Sequence, residues 1–119
     1  MTLVIKFITM DEYKEWGHEK CAKMILDRLG DNPIYVTFDL DCLDATVAPG
    51  TANLEPAFRG FNIDEARKLI QCLKGKNVIG GDVACLMPTK DSPNQITSMV
   101  AASIMFEIIC LISTNLNKK

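Results

Sequence analysis

Between Ile34 and Asp44 a run of apolar and β-branched residues, Ile34-Tyr35-Val36-Thr37-Phe38, drives straight into three aspartates, Asp39, Asp41 and Asp44. Such a run favours an extended strand. Side chains alternate along a strand, so the spacing predicts that Asp39 and Asp41 project to one side, close together. Carboxylates held that near repel each other, and a divalent cation between them removes the repulsion. The same spacing also suits a solvated strand end whose acidic residues cap the following loop.

The flanking sequence narrows the fold. Strand-like apolar runs alternate with longer helical segments, the pattern of βαβ units around a parallel sheet, and about three such pairs can be read. Residues 3–8 form the first expected strand, and Thr9-Met10-Asp11-Glu12 matches a capping box for a helix running to residue 29. The second strand is Ile34–Asp39, and Asn62 opens a helix through residue 73 after a loop containing Pro49, Gly50 and Pro56. The third strand is Val78–Ala84, where Gly80-Gly81 allow close backbone approach. Ser92-Pro93-Asn94-Gln95 offers an N-cap, a first-turn proline and a reciprocal glutamine, which predicts a last helix to residue 112 and a frayed polar tail over 115–119.

With 119 residues, 48% of them hydrophobic, the chain suits one core, and no linker or repeat divides it, so residues 1–119 read as a single domain. A net charge of -2 with the signs interspersed provides no basic stripe, so nucleic acid is not an expected partner. Five irregularly spaced cysteines, several in apolar runs (Cys72, Cys85, Cys110), predict reduced core thiols and an intracellular, cytoplasmic protein. The opening residues lack the pattern of a secretory signal. The apolar run 99–112 is shorter than the ~20 residues that cross a bilayer and contains Ser103 and Glu107, so it reads as a buried or interface helix, not a membrane span.

Parallel α/β sheets place ligands at the carboxyl ends of their strands. Asp39, Asp41 and Asp44 follow the second strand, Asp82 lies in the third and Asp91 follows it, so these acids are expected to converge on one side of the sheet.

In this order the chain resembles the C-terminal portion of the ureohydrolases, the arginase and agmatinase family. The motifs concerned are Phe38-Asp39-Leu40-Asp41-Cys42-Leu43-Asp44, Ala48-Pro49-Gly50-Thr51 and Arg59-Gly60-Phe61, followed by Gly80-Gly81-Asp82-Val83, Pro88, Asp91, Thr97, Val100-Ala101-Ala102 and Glu107. Met10-Asp11 and Gly17 look like the region preceding the acidic motif. The resemblance implies a three-layer αβα fold, a binuclear manganese centre, and hydrolysis of a linear guanidino compound, of the arginine or agmatine type, to urea and an amine. It also implies that Asp39 and Asp41 are metal ligands and that Asp44 supports the loop.

The departures bear on activity. The family's G-G-D-H and D-A-H-x-D segments, which supply the other ligands, do not occur in these 119 residues. Cys85 stands where the family pattern places a guanidinium-binding glutamate, and a neutral thiol cannot make that charge-assisted, two-pronged pairing. Ala45 replaces a proline, Ala52-Asn53-Leu54 a turn, and Ala57-Phe58 resembles an insertion. These residues alone are therefore expected to be inactive. Cys85 reads as a buried structural thiol; the alternative, a nucleophile, lacks a histidine partner. His18 reads as a helix-surface residue. Glu55 and Glu107 are possible acids or bases, or respectively a solvated loop residue and the polar side of the last helix.

Two other classes fit part of the pattern. A non-catalytic pseudoenzyme or interaction domain would expose a sheet edge and apolar helix faces, and would form a homo-oligomer or bind a partner protein. A phosphatase of the haloacid dehalogenase type also has D-x-D after an apolar strand, but Leu43 and Ala48-Pro49-Gly50-Thr51 do not suit that motif. An EF-hand lacks its central glycine and terminal glutamate here.

Overall fold

Parallel pairing of two short strands organises the chain in its computed structural model, which describes residues 5–54 and 59–118. Strand β1 (Ile34–Asp39) lies beside β2 (Val78–Ala84), with Tyr35 opposite Gly80, Thr37 opposite Asp82 and Asp39 opposite Ala84. Helices α1 (Met10–Trp16) and α2 (His18–Leu29) precede β1, α3 (Ile63–Gln71) connects the strands, and α4 (Ile96–Leu116) follows β2. This is the expected α/β arrangement with a parallel sheet, a partial αβα fold.

The first expected strand is not formed over its described part. Residues 5–8 carry no strand, and Ile5 and Phe7 are 81% and 82% exposed. A strand needs a hydrogen-bonding neighbour, and among the described residues β1 and β2 pair only with each other. The helix expected across residues 9–29 is two helices. Gly17 has φ +85°, a left-handed value that ends α1 and lets α2 leave in a new direction.

Capping residues behave as their spacing predicts at two helices. Thr9 and Glu12 form a reciprocal box at the start of α1, and Asn62 and Glu65 do the same for α3. The last helix differs. It begins at Ile96 after Gln95 in a left-handed conformation, and the carboxylate of Asp91 accepts hydrogen bonds from the N–H groups of Thr97 and Ser98 at 3.0 and 2.9 Å. A carboxylate satisfies two otherwise orphan donors and suits the positive end of the helix dipole, so Asp91 is the effective cap.

At its other end α4 runs on to Leu116. Asn115 is buried there and donates to the Val78 carbonyl and to Asn77 Oδ1, both at 3.1 Å, so the expected frayed tail is a tie between helix and strand. With 21 residues, α4 is longer than its apolar run suggests, and by length and composition it is long and apolar enough to cross a membrane. Here one side packs on β2 through Ala101, Ile104, Ile108 and Leu111, while Met99, Phe106 and Ile109 are exposed.

The core gathers Ile34, Phe38, Leu40, Ile70, Val78, Ile104 and Ile108 between the strand pair and the helices. The opposite sheet face is open among the described residues: Tyr35, Thr37 and Asp39 are all exposed along it. Of the cysteines, Cys21 is buried but Cys110 is exposed, because its position on α4 falls on the outer side. That corrects the expectation of a core thiol for Cys110, and Cys85, half-buried and outside the core, departs from it too.

Helix α4 and the sheet approach closely at Gly81, where an added Cβ would lie 2.6 Å from the Val36 carbonyl oxygen and 2.7 Å from a methyl of Ile108. Gly81→Ala should cost about 1–3 kcal/mol by overpacking. In urea denaturation the midpoint should fall with an unchanged slope, and an unchanged midpoint would contradict this packing.

Candidate functional site

Strand β1 ends at Asp39 and turns at once into a single 3-10 turn, Leu40–Cys42. Strand alternation therefore does not bring Asp39 and Asp41 together. Instead the Asp39 carboxylate caps the turn, with its Oδ1 accepting the Asp41 N–H at 2.9 Å, and the turn rotates Asp41 back toward it. Leu40 buries its side chain, which anchors the turn from below. Cys42 points toward the core, and desolvation, reinforced by the Asp39 charge, pushes its thiol up to about 12. It remains protonated.

The register of the strands brings Cys85 to the same place. Asp39 faces Ala84, so the next residue of the second chain segment lies beside the acidic turn. Ligand atoms of Asp39, Asp41 and Cys85 all fall within 4.8 Å of one another, with Asp39 exposed and the other two half-buried. A hydrogen bond from the Cys85 thiol to Asp39 is the main influence pushing that thiol up, followed by partial desolvation and the two carboxylate charges. A protonated thiol donating to a carboxylate is a poor nucleophile.

The segment around Pro49-Gly50-Thr51 holds this corner in place. Thr51 bridges Leu86, the Ala52 N–H donates to the Cys85 carbonyl at 3.0 Å, and the Met87 N–H donates to the Gly50 carbonyl at 2.8 Å. The Gly50 N–H in turn donates to Thr97 Oγ1 at 2.8 Å, a fully buried bond to the first turn of α4. The loop thus links the acidic turn, Cys85 and the helix that backs β2. The Asn53 N–H reaches Asp41 Oδ1 at 3.5 Å from the same loop.

The remaining acids do not join the cluster among the described residues. Asp44 accepts from the Thr46 hydroxyl at 2.6 Å and from its N–H at 2.9 Å, bonds that hold its carboxyl below the usual range and fix the loop after the turn. Asp82 receives the Tyr35 hydroxyl at 3.0 Å on the open sheet face. Asp91 is engaged as the cap of α4. Of the five acids expected to converge, Asp82 shares the open sheet face with Asp39 but stays outside the cluster, and only Asp39 and Asp41 come together; Asp44 and Asp91 are held in their own loops.

Other candidates are also located. His18 begins α2, half-buried, with Nδ1 3.5 Å from the Tyr13 hydroxyl, and is not part of the donor cluster. Glu107 accepts from Arg67 Nε at 2.8 Å and from Gln71 Nε2 at 3.2 Å, tying α4 to α3; the Arg67 bond holds its carboxyl below the usual value. That places it in a structural joint. Glu55 lies outside the described residues. Beside Asp41 is a solvent-open recess of about 450 Å³, lined in part by Met10, Asp11, Cys42, Arg59 and Phe61, with Arg59 and Asp11 paired at 3.2 Å. The Arg59–Asp11 pair had no signal in sequence spacing, since the residues are distant along the chain.

Comparisons with known proteins bear on the family and the fold. The family model described as the Arginase family matches residues 1–111. The chain is 36% identical over 101 residues to an agmatinase of Photorhabdus laumondii, covering 85% of this chain and 32% of that protein. It is 36% identical over 109 residues to a guanidinopropionase of Pseudomonas aeruginosa, covering 92% and 33%. Among solved structures it is similar to proclavaminate amidino hydrolase from Streptomyces clavuligerus, with TM-score 0.84, 31% identity, and 91% and 36% of the two chains covered. A hypothetical agmatinase from Burkholderia thailandensis has TM-score 0.82, 32% identity, and 92% and 34% covered. The chain spans about a third of the length of the curated relatives it matches.

One test concerns the cap that seats this corner on α4. Desolvation raises the Asp91 carboxyl, but the donors of Ser98 and Thr97 outweigh it and hold the group well below its usual range. A depressed folded pKa contributes stability that is complete above the unfolded value of about 3.9 and is lost as pH falls through the folded value. The stability gap between wild type and Asp91→Asn should thus be widest above about pH 4 and close on acidification. Urea denaturation across a pH series checks this, and a pH-independent gap would contradict it.

Proposed function

The chain belongs to the arginase family, and on that premise we propose that it is the C-terminal segment of a ureohydrolase acting on a linear guanidino compound of the arginine or agmatine type. The supporting observation is the meeting of Asp39 and Asp41 at the carboxyl ends of two parallel strands, where an α/β fold places its chemistry. Within the arginase family the D-x-D at Asp39 and Asp41 is a ligand motif rather than that of a phosphatase. In this reading both carboxylates are metal ligands, and Asp44 supports them by fixing the loop that follows.

A binuclear manganese centre, which the resemblance implies, does not fit the donors found here. Among the described residues the cluster offers two carboxylates and a thiol, and the chain's one histidine, His18, is elsewhere. Manganese favours carboxylate, carbonyl and water oxygens over thiolate, and two carboxylates are too few protein donors for a pair of ions. No reaction step is therefore derived through such a centre. These 119 residues by themselves are proposed to release no urea, and Cys85 in the glutamate position removes the carboxylate that would grip a guanidinium.

A second reading is supported by the surface. Met99, Phe106, Ile109 and Leu116 are 54–65% exposed on α4, and Tyr35 is 61% exposed on the open sheet face. Parallel sheets are normally covered on both faces. The chain therefore suits association, with a second copy or a partner protein covering these surfaces, in the cytoplasm.

Both readings are open to experiment. We expect this chain, grafted in place of the matching third of the Photorhabdus agmatinase, to give a folded protein whose urea release from agmatine is low and rises roughly 10- to 100-fold with Cys85→Glu, the size of one charge-assisted pairing. Folded chimeras that are equally silent with either residue would contradict the assignment. For association, light scattering should report more than one chain per particle, with Phe106→Glu shifting the mass toward a monomer; a monomeric wild type would remove this reading.

A further inference from the structure

Away from the acidic turn, the exposed side of α4 carries a pattern of its own. Met99, Ala102, Phe106, Ile109, Ser113 and Leu116 follow one another at alternating steps of three and four residues, and every one of them is exposed. A seven-residue repeat of this kind is the seam along which one helix packs against another. The buried residues of α4, Thr97, Ala101, Ile104, Ile108, Leu111 and Asn115, form a separate stripe. At about 3.6 residues per turn the two stripes point about 150° apart. The exposed one therefore lies on the outer side of the helix layer, turned away from the sheet, where further strands added to the sheet would not cover it.

The chemistry of this seam selects its occupant. Glu107 is the one charged residue between Ile96 and Leu116, and it is turned to Arg67 and Gln71 of α3. The seam thus presents no charge that would repel an identical seam or call for an oppositely charged partner. At its margins the hydroxyls of Ser103 and Thr114 donate to the carbonyl oxygens of Met99 and Cys110 at 2.9 and 2.8 Å, so covering the face leaves those donors satisfied.

The order of side chains is also self-complementary. Two copies of α4 laid antiparallel, with Phe106 beside Ile109 of the second copy, also set Met99 beside Leu116 and Ala102 beside Ser113. Large side chains then meet large ones, the small pair lets the backbones approach, and the helix dipoles run in opposite directions. Laid parallel, the copies would put Phe106 against Phe106 and Ser113 against Ser113. The antiparallel pair has two-fold symmetry, so it uses the same patch on both copies and closes.

We infer that the outer side of α4 is a dimer interface, occupied by α4 of a second copy in antiparallel register, with Phe106 and Ile109 at its centre. This rests on the association reading above and adds the occupant, the helix and the direction.

The test uses the 119-residue chain with two charge substitutions at exposed positions, Ala102→Lys and Ser113→Glu. Light scattering over a dilution series should find a wild-type dimer. Each single variant should raise its dissociation constant at least about tenfold, because it places an unpaired charge in the seam. The variant carrying both should recover at least about tenfold over either one, because antiparallel pairing sets each new ammonium against a new carboxylate of the other copy. Circular dichroism should be unchanged throughout. A monomeric wild type would overturn this inference together with the association reading. A dimer that neither single variant weakens would overturn α4 as the interface and spare association. A dimer weakened by both and not recovered in the combined variant would overturn the antiparallel register. A monomer that floats with phosphatidylcholine vesicles would assign the face to a lipid surface and overturn the second copy.

Discussion

The register of β1 against β2 is the constraint on which the rest of the structure depends. With Asp39 opposite Ala84, the acidic turn leaving one strand and Cys85 leaving the other emerge side by side. A slip of one residue would turn Phe38 outward and bring the row of Tyr35, Thr37 and Asp39 against α4, so burial of Ile34, Val36 and Phe38 against the helices enforces the register. Gly81 is part of the same lock. It lets Ile108 of α4 press onto the strand at the point where Gly81 pairs with Val36.

From that register the corner is built by backbone hydrogen bonds more than by side chains. The loop through Pro49-Gly50-Thr51 runs alongside Cys85, Leu86 and Met87, and Gly50 then bonds to Thr97 at the start of α4. Asp91 caps the same turn of helix. Acidic turn, thiol and helix terminus thereby form one connected unit. Its chemistry is accordingly local: each of Asp44, Asp82 and Asp91 is held by its own donors, and Asp39 and Asp41 are left to face Cys85.

Much of this was legible in the residues. The two strands, the Thr9 and Asn62 caps and the position of the acidic motif at a strand end follow from period, propensity and capping chemistry, all of which are local. What was not legible depends on contacts made at a distance. Residues 5–8 are apolar enough for a strand, yet a strand exists only if a neighbour pairs with it. Gly17 reads as tolerable in a helix until its positive φ shows that α2 must change direction. Asn115 continues the stripe of Ile104, Ile108 and Leu111 at helical spacing, but its partners, Asn77 and the Val78 carbonyl, lie in the strand region and cannot be read from the helix itself. The approach of Cys85 to Asp39 could be known only from the register.

The account's central claim is that the two strand ends bring Asp39, Asp41 and Cys85 around one point in space. A crystal structure of the chain tests it most directly. The account predicts ligand atoms of Asp39, Asp41 and Cys85 within 4.8 Å of one another. Density with the Cys85 sulfur or the Asp41 carboxylate turned away from Asp39 would contradict it.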